Sequence, residues 1–160
     1  MKSLPIPASE LPRPNTLAEV VRGAADAIGF AHRRGYVHLN LKPRSIRFDG
    51  LGKPRVGLFG LGGSLEGVRK GPDRRIGTPY FMAPEQWTQG IQAVSPATDV
   101  WSLGAILYRG LTGGVPFGPA DKALEVKRLV LETTPVPPRT RKPEVSAGLE
   151  EICLRCLEKD

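Results

Sequence analysis

A chain of 160 residues with a formal net charge of +7, 40% apolar and 24% charged, is long enough to bury a sizeable core as one domain and too regular in its apolar periodicity to be a disordered segment. Two Cys and two His exclude a disulfide framework and a self-contained zinc site, and suit a reducing, cytoplasmic setting. The basic residues are scattered and rarely interleaved with aromatics, which argues against nucleic acid as a partner, and no apolar run suits a signal peptide or a membrane span.

Residues 1–14 read as a proline-rich arm, broken at Pro5, Pro7, Pro12 and Pro14, ahead of a larger unit over 15–160. Thr16 and Glu19 have the spacing of a capping box, and Leu17, Val20, Val21, Ala24 and Ile28 recur at helical intervals. Arg33 and Arg34 suit the last turn of that helix, and Gly35 its left-handed stop. Short extended segments are expected at 36–37, 45–48 and 54–58, the last two joined by a hairpin turn at 49–52. From Phe59 to Phe81 no period is visible, and glycines at 60, 62, 63, 67, 71 and 77 mark a long loop.

A short helix is expected after Pro84. The stretch 98–111 then predicts a central helix, because Val100, Leu103, Ala105, Ile106, Leu107 and Leu111 leave almost no polar face. Asp99, at its start, is a carboxylate that is costly to bury without backbone N–H partners, so it is expected to anchor a neighbouring loop. A break at 113–116, a helix over 122–131 and a proline-rich connection over 135–143 follow. Leu149, Ile152, Cys153, Cys156 and Leu157 predict a final helix.

Taken in order, residues 38–46 (HLNLKPRSI), 58–60 (LFG), 77–86 (GTPYFMAPEQ), 98–104 (TDVWSLG) and 156–160 (CLEKD) resemble the C-terminal lobe of a serine/threonine protein kinase of the eukaryotic-like type found in bacteria. The likeness covers about residues 15–160. It implies a mainly α fold with a few short β-strands, a kinase-like C-lobe lacking the N-terminal β lobe. ATP and magnesium are the family's cofactors.

The departures from the family pattern bear on chemistry. In the family's catalytic loop an Asp takes up the substrate hydroxyl proton and an Asn holds magnesium; Asn40 and Ser45 stand at those positions. A carboxamide has no basic site at neutral pH, so Asn40 is not expected to serve as the general base, a role worth a factor of about 10²–10⁴. The metal-binding Asp of the family's Asp-Phe-Gly is Leu58, which has no oxygen to offer. The glycines between 57 and 67 match no nucleotide-binding spacing. With only residues 1–14 before the first helix, the ATP-holding lobe is expected to be missing, and no cofactor is expected to bind.

What the resemblance implies beyond this is architectural. Asp99 corresponds to the residue that braces the catalytic loop, with His38 as its hydrogen-bonding companion. Glu85 corresponds to a carboxylate paired with an Arg that would follow residue 160, so a weakened fold is expected unless another base such as Arg155 substitutes. Leu39 replaces the Arg that reads activation-segment phosphorylation, and that switch is expected to be missing. Lys42 and Thr78 match positions that contact the transferred phosphate and the substrate loop.

Other residues admit a chemical and a plain reading. Asp49 or Asp73 could supply a substitute carboxylate or be turn and loop residues. Cys153 and Cys156 could form a redox pair or half a zinc site, or be core groups on the face of Leu149 and Ile152. Arg69, Lys70, Arg74 and Arg75 could dock an acidic partner or form a solvated basic loop, and His32 is read as a satisfied imidazole near a helix end. Together the residues point to a truncated, catalytically inactive pseudokinase acting as an interaction module. Its partner would be a protein covering the surface left by the missing lobe, in the cytoplasm and away from membrane and nucleic acid. The alternatives are an active serine/threonine kinase and a non-functional gene remnant.

Overall fold

The computed structural model describes residues 14–59, 62–72 and 77–159; the arm before Pro14, Gly60, Asp73, Arg74, Arg75 and Asp160 lie outside the described residues. Helix α1, Pro14–His32, buries Leu17, Val20, Ala24 and Ile28, the face that the spacing marks. It starts earlier than the sequence suggests. Proline is at home in a first helical turn, so Thr16 lies inside the helix rather than capping it. Arg33 and Arg34 fall just past the helix, in a turn that Gly35 closes at φ 75°.

Strand β1, Tyr36–Val37, and strands β2, Ile46–Phe48, and β3, Pro54–Val56, come next. β2 and β3 form the expected antiparallel hairpin. Asp49 holds its turn: one carboxylate oxygen accepts from the N–H groups of Leu51 and Lys53 and the other from Arg55. The supposedly structureless stretch after Phe59 contains strand β4, Gly63–Ser64, and helix α2, Leu65–Lys70. β4 pairs antiparallel with β1. A Cβ at Gly62 would sit 2.0 Å from the Val37 carbonyl oxygen, so this approach of two backbones requires glycine. Ser64 caps α2 by accepting from the Gly67 N–H.

Helix α3, Pro84–Thr88, precedes the central helix α4, Pro96–Thr112. Ser95 caps α4 and Gly113, at φ 77°, stops it. Trp101, Leu103, Ala105, Ile106, Leu107, Tyr108 and Leu111 are buried, and α1 and α7 pack closely on α4. Close approach is made at glycines: a Cβ on Gly104 would meet the Cys156 Cβ at 2.6 Å, and one on Gly110 would meet Leu17 at 2.5 Å. Val100 departs from the expectation, being 42% exposed at the rim of a cavity.

Helices α5, Ala123–Glu132, α6, Pro138–Arg141, and α7, Ala147–Cys156, complete the chain. α6 lies inside the proline-rich connection, which Tyr108 anchors by donating its hydroxyl to the Val136 carbonyl at 2.9 Å. On α7, Cys153 is buried, as is Leu157 just past it, whereas Ile152 is 55% exposed. The final apolar face therefore turns one residue away from the expected one. The fold is mainly α with a few short strands, as the resemblance implies, and no helix among the described residues is long and apolar enough to cross a membrane.

Candidate functional site

The loop from His38 to Ile46 is held from below by the first turn of α4. Asp99 is fully buried, and its two oxygens accept from the backbone N–H groups of His38 and Leu39, each at 2.8 Å. A buried carboxylate is tolerable only with such donors. The ring that reaches Asp99 is that of His32, with Nε2 2.8 Å from Oδ2, rather than that of His38. His38 contributes its backbone to Asp99. Its own Nε2 lies 2.8 Å from the Gly57 carbonyl, which can only accept, so Nε2 donates and Nδ1 accepts from the Asn40 N–H at 3.2 Å.

Four of the candidate residues meet on this loop. Lys42 Nζ donates to Thr78 Oγ1 at 3.0 Å, and Thr78 Oγ1 donates to Asn40 Oδ1 at 2.9 Å. Ser45 is buried, and its hydroxyl donates to the Asn40 carbonyl at 3.3 Å. Gly57, which bonds both the His38 ring and the Ser45 carbonyl, carries the next residue, Leu58, to the edge of the loop. Leu58 is half-exposed at φ 65°, and Leu39 is buried at φ 64°. Two leucines thus occupy a left-handed geometry that costs a residue with a Cβ on the order of 1 kcal/mol.

These residues do not fit the magnesium of an ATP complex. That ion is held through one or two carboxylates. The positions that the resemblance assigns as its ligands carry a hydrocarbon at Leu58 and, at Ser45, a buried and uncharged hydroxyl. Asp49 is no substitute. Backbone N–H donation from Lys53 and then Leu51 holds its carboxyl below the usual range, and it stays in the hairpin turn.

Glu85, on α3, accepts from the Thr98 hydroxyl at 2.5 Å. It shares a cavity of about 560 Å³ with Arg155 and Trp101, yet no ion pair joins Glu85 to Arg155. The Glu85–Arg155 pairing that the sequence offered is thus not made, and the Thr98 hydroxyl meets the carboxylate instead. Beside Glu85, the buried Gln86 donates to the Leu39 carbonyl at 3.1 Å and accepts from the Ala83 N–H at 2.9 Å. Ser102 of α4 donates to the Phe81 carbonyl at 2.7 Å. Sequence reasoning missed both; a polar residue inside an apolar run is the signal that could have marked Ser102.

Leu39 forms a second, smaller apolar cluster with Val37, Ile91 and Val94, against which Leu65 and Val68 of α2 pack. Arg69 donates twice to the Val94 carbonyl, at 3.1 and 2.8 Å, and Lys70 pairs with Glu66 at 2.6 Å. The described half of the basic run is therefore engaged rather than free. Cys153 is a core group: burial pushes its thiol up to about 12, and its Sγ donates to the Gly104 carbonyl at 3.6 Å. Burial raises Cys156 as well.

A family model described as a protein kinase domain matches residues 8–160. The chain is 31% identical over 150 residues to serine/threonine-protein kinase PknB of Mycobacterium tuberculosis, covering 92% of this chain and 24% of that protein. It is 32% identical over 146 residues to a probable serine/threonine-protein kinase of Clostridium acetobutylicum, covering 91% of this chain and 22% of that one. To serine/threonine-protein kinase RUNKEL of Arabidopsis thaliana it is 36% identical over 110 residues, covering 68% of this chain and 8% of that protein. The chain thus spans about a quarter or less of the length of these relatives.

Proposed function

The chain belongs to the protein kinase domain family, and from that premise we propose that it is a kinase-like module that has lost phosphoryl transfer and acts by binding another protein. The observation that carries the reading is the cluster of Lys42, Thr78 and Asn40, in which a carboxamide receives the Thr78 hydroxyl hydrogen. An active kinase needs a carboxylate there to receive the substrate proton. No proton acceptor of useful basicity stands at that point, and Leu58 offers no charge to clamp a metal–phosphate complex.

Retention of the scaffold without the chemistry supports a binding role. Asp99 still fixes the loop with two backbone hydrogen bonds and ties it to α1 through the His32 ring. Tyr36, Leu51 and Leu58, each 50% or more exposed near the two small sheets, supply apolar surface on which a protein partner would seat. The two free thiols favour a reducing compartment, the cytoplasm, as its place of work.

The test is incubation of the purified chain with radiolabelled ATP, a general protein substrate, and magnesium or manganese. No transfer above background is expected. Transfer that Lys42→Ala abolishes would overturn the reading.

A further inference from the structure

Hydrogen-bond direction through the Lys42–Thr78–Asn40 cluster is dictated by chemistry. An ammonium can only donate, so Lys42 uses the lone pair of Thr78 Oγ1 at 3.0 Å. The single hydroxyl hydrogen then goes to the other partner, Asn40 Oδ1, at 2.9 Å. That assignment leaves the Asn40 amide nitrogen with both of its hydrogens and the Lys42 ammonium with two of its three. Among the described residues, no protein acceptor meets either set, and no carboxylate lies within ion-pair distance of Lys42. An aspartate at position 40 would present an acceptor and a negative charge; asparagine presents N–H donors beside a cation that no described carboxylate neutralises. The substitution that removes the base inverts what the cluster attracts.

We propose that Asn40 and Lys42 form a metal-independent receptor for a phosphate monoester. The inference rests on the non-catalytic reading above and gives that module its ligand class: it binds a phosphate already in place on a partner instead of transferring one. Lys42 Nζ and Asn40 Oδ1 both bond one oxygen, Thr78 Oγ1, so the ammonium and the carboxamide that bears the free N–H groups are tied together through a single hydroxyl. A phosphate dianion has three terminal oxygens and can satisfy several such donors at once, whereas a carboxylate has two. Asn40, Lys42 and Thr78 are all half-buried, open to a solute yet partly shielded from water, where charge-assisted hydrogen bonds strengthen. The chain's net charge of +7 adds a long-range attraction for anions.

The test is isothermal titration of the chain in EDTA with a phosphoserine peptide, the same peptide unphosphorylated, and inorganic phosphate. Circular dichroism melts confirm that each variant is folded. Phosphopeptide binding is expected without metal, with no binding of the unphosphorylated peptide. Asn40→Asp, which keeps the acceptor for Thr78 but restores the charge, should weaken binding by about tenfold or more, and so should Lys42→Gln. Lys70→Gln removes an equal charge at an exposed site already paired with Glu66 and should change affinity by less than about twofold.

Inorganic phosphate binding as tightly as the peptide, with the same variant pattern, would support the site and make a free oxyanion its ligand. The proposal is overturned if folded wild type binds neither phosphate form, if binding needs magnesium, if Asn40→Asp leaves it intact, or if Lys70→Gln weakens it as much as Lys42→Gln. Transfer from ATP by the wild type would defeat the non-catalytic reading by a separate measurement, and phosphate binding in EDTA would still be decided by these titrations.

Discussion

At the scale of single residues, Asp99 is the group on which the loop geometry turns. Its carboxylate answers the His38 and Leu39 N–H groups and the His32 ring from a fully buried position. Asp99→Ala strands all three donors, and a loss of about 3–5 kcal/mol is expected in urea denaturation. Cys153 gives a pH signature. Its thiol holds the proton up to about 12 when folded, against 9.0 for the unperturbed group. Between those values the folded chain binds more protons than the unfolded one, so stability falls as pH rises through that window. Thermal melts from pH 8 to 11 should show the decline, and Cys153→Ala should flatten it. The role of Asp99 was legible because a carboxylate entering an apolar helix must find donors; that the ring beside it is His32 was not, since sequence spacing carries no information about which imidazole reaches across the fold.

At the scale of elements, the long helices and the hairpin declared themselves, while β4 and α2 did not. A two-residue strand has no period to detect, and its pairing partner β1 lies far away in sequence. The six residues of α2 are fewer than the window over which helical periodicity becomes visible. What holds α2 is tertiary: Leu65 and Val68 against the cluster of Val37, Leu39, Ile91 and Val94, and Arg69 on the Val94 carbonyl. Arg69→Ala should therefore raise hydrogen exchange over 65–70 several-fold and leave α4 unchanged, as mass spectrometry of the two segments would read. Gly104→Val drives a side chain into Cys156 at the contact between α4 and α7. A destabilisation of about 1–3 kcal/mol is expected in thermal melts.

At the scale of the whole molecule, α4 is the common wall of the core, and the order of motifs around it is what made the family legible before any contact was known. Asn40, Lys42 and Thr78 could each be placed from that order, but the direction of the hydrogens linking them needed the geometry. The smaller cluster around Leu39 lies apart from the main core, so its backbone amides should exchange before those of α4 under mild denaturant. The packing of α1 against Gly110 and of the residues at the end of α7 against Gly104 also sets a timetable for biosynthesis. The first of these helices emerges from the ribosome early and the other late, and until the later one arrives a greasy central rod stands half-clothed. A nascent chain stalled before residue 147 should engage holdase chaperones, and release should coincide with the appearance of α7.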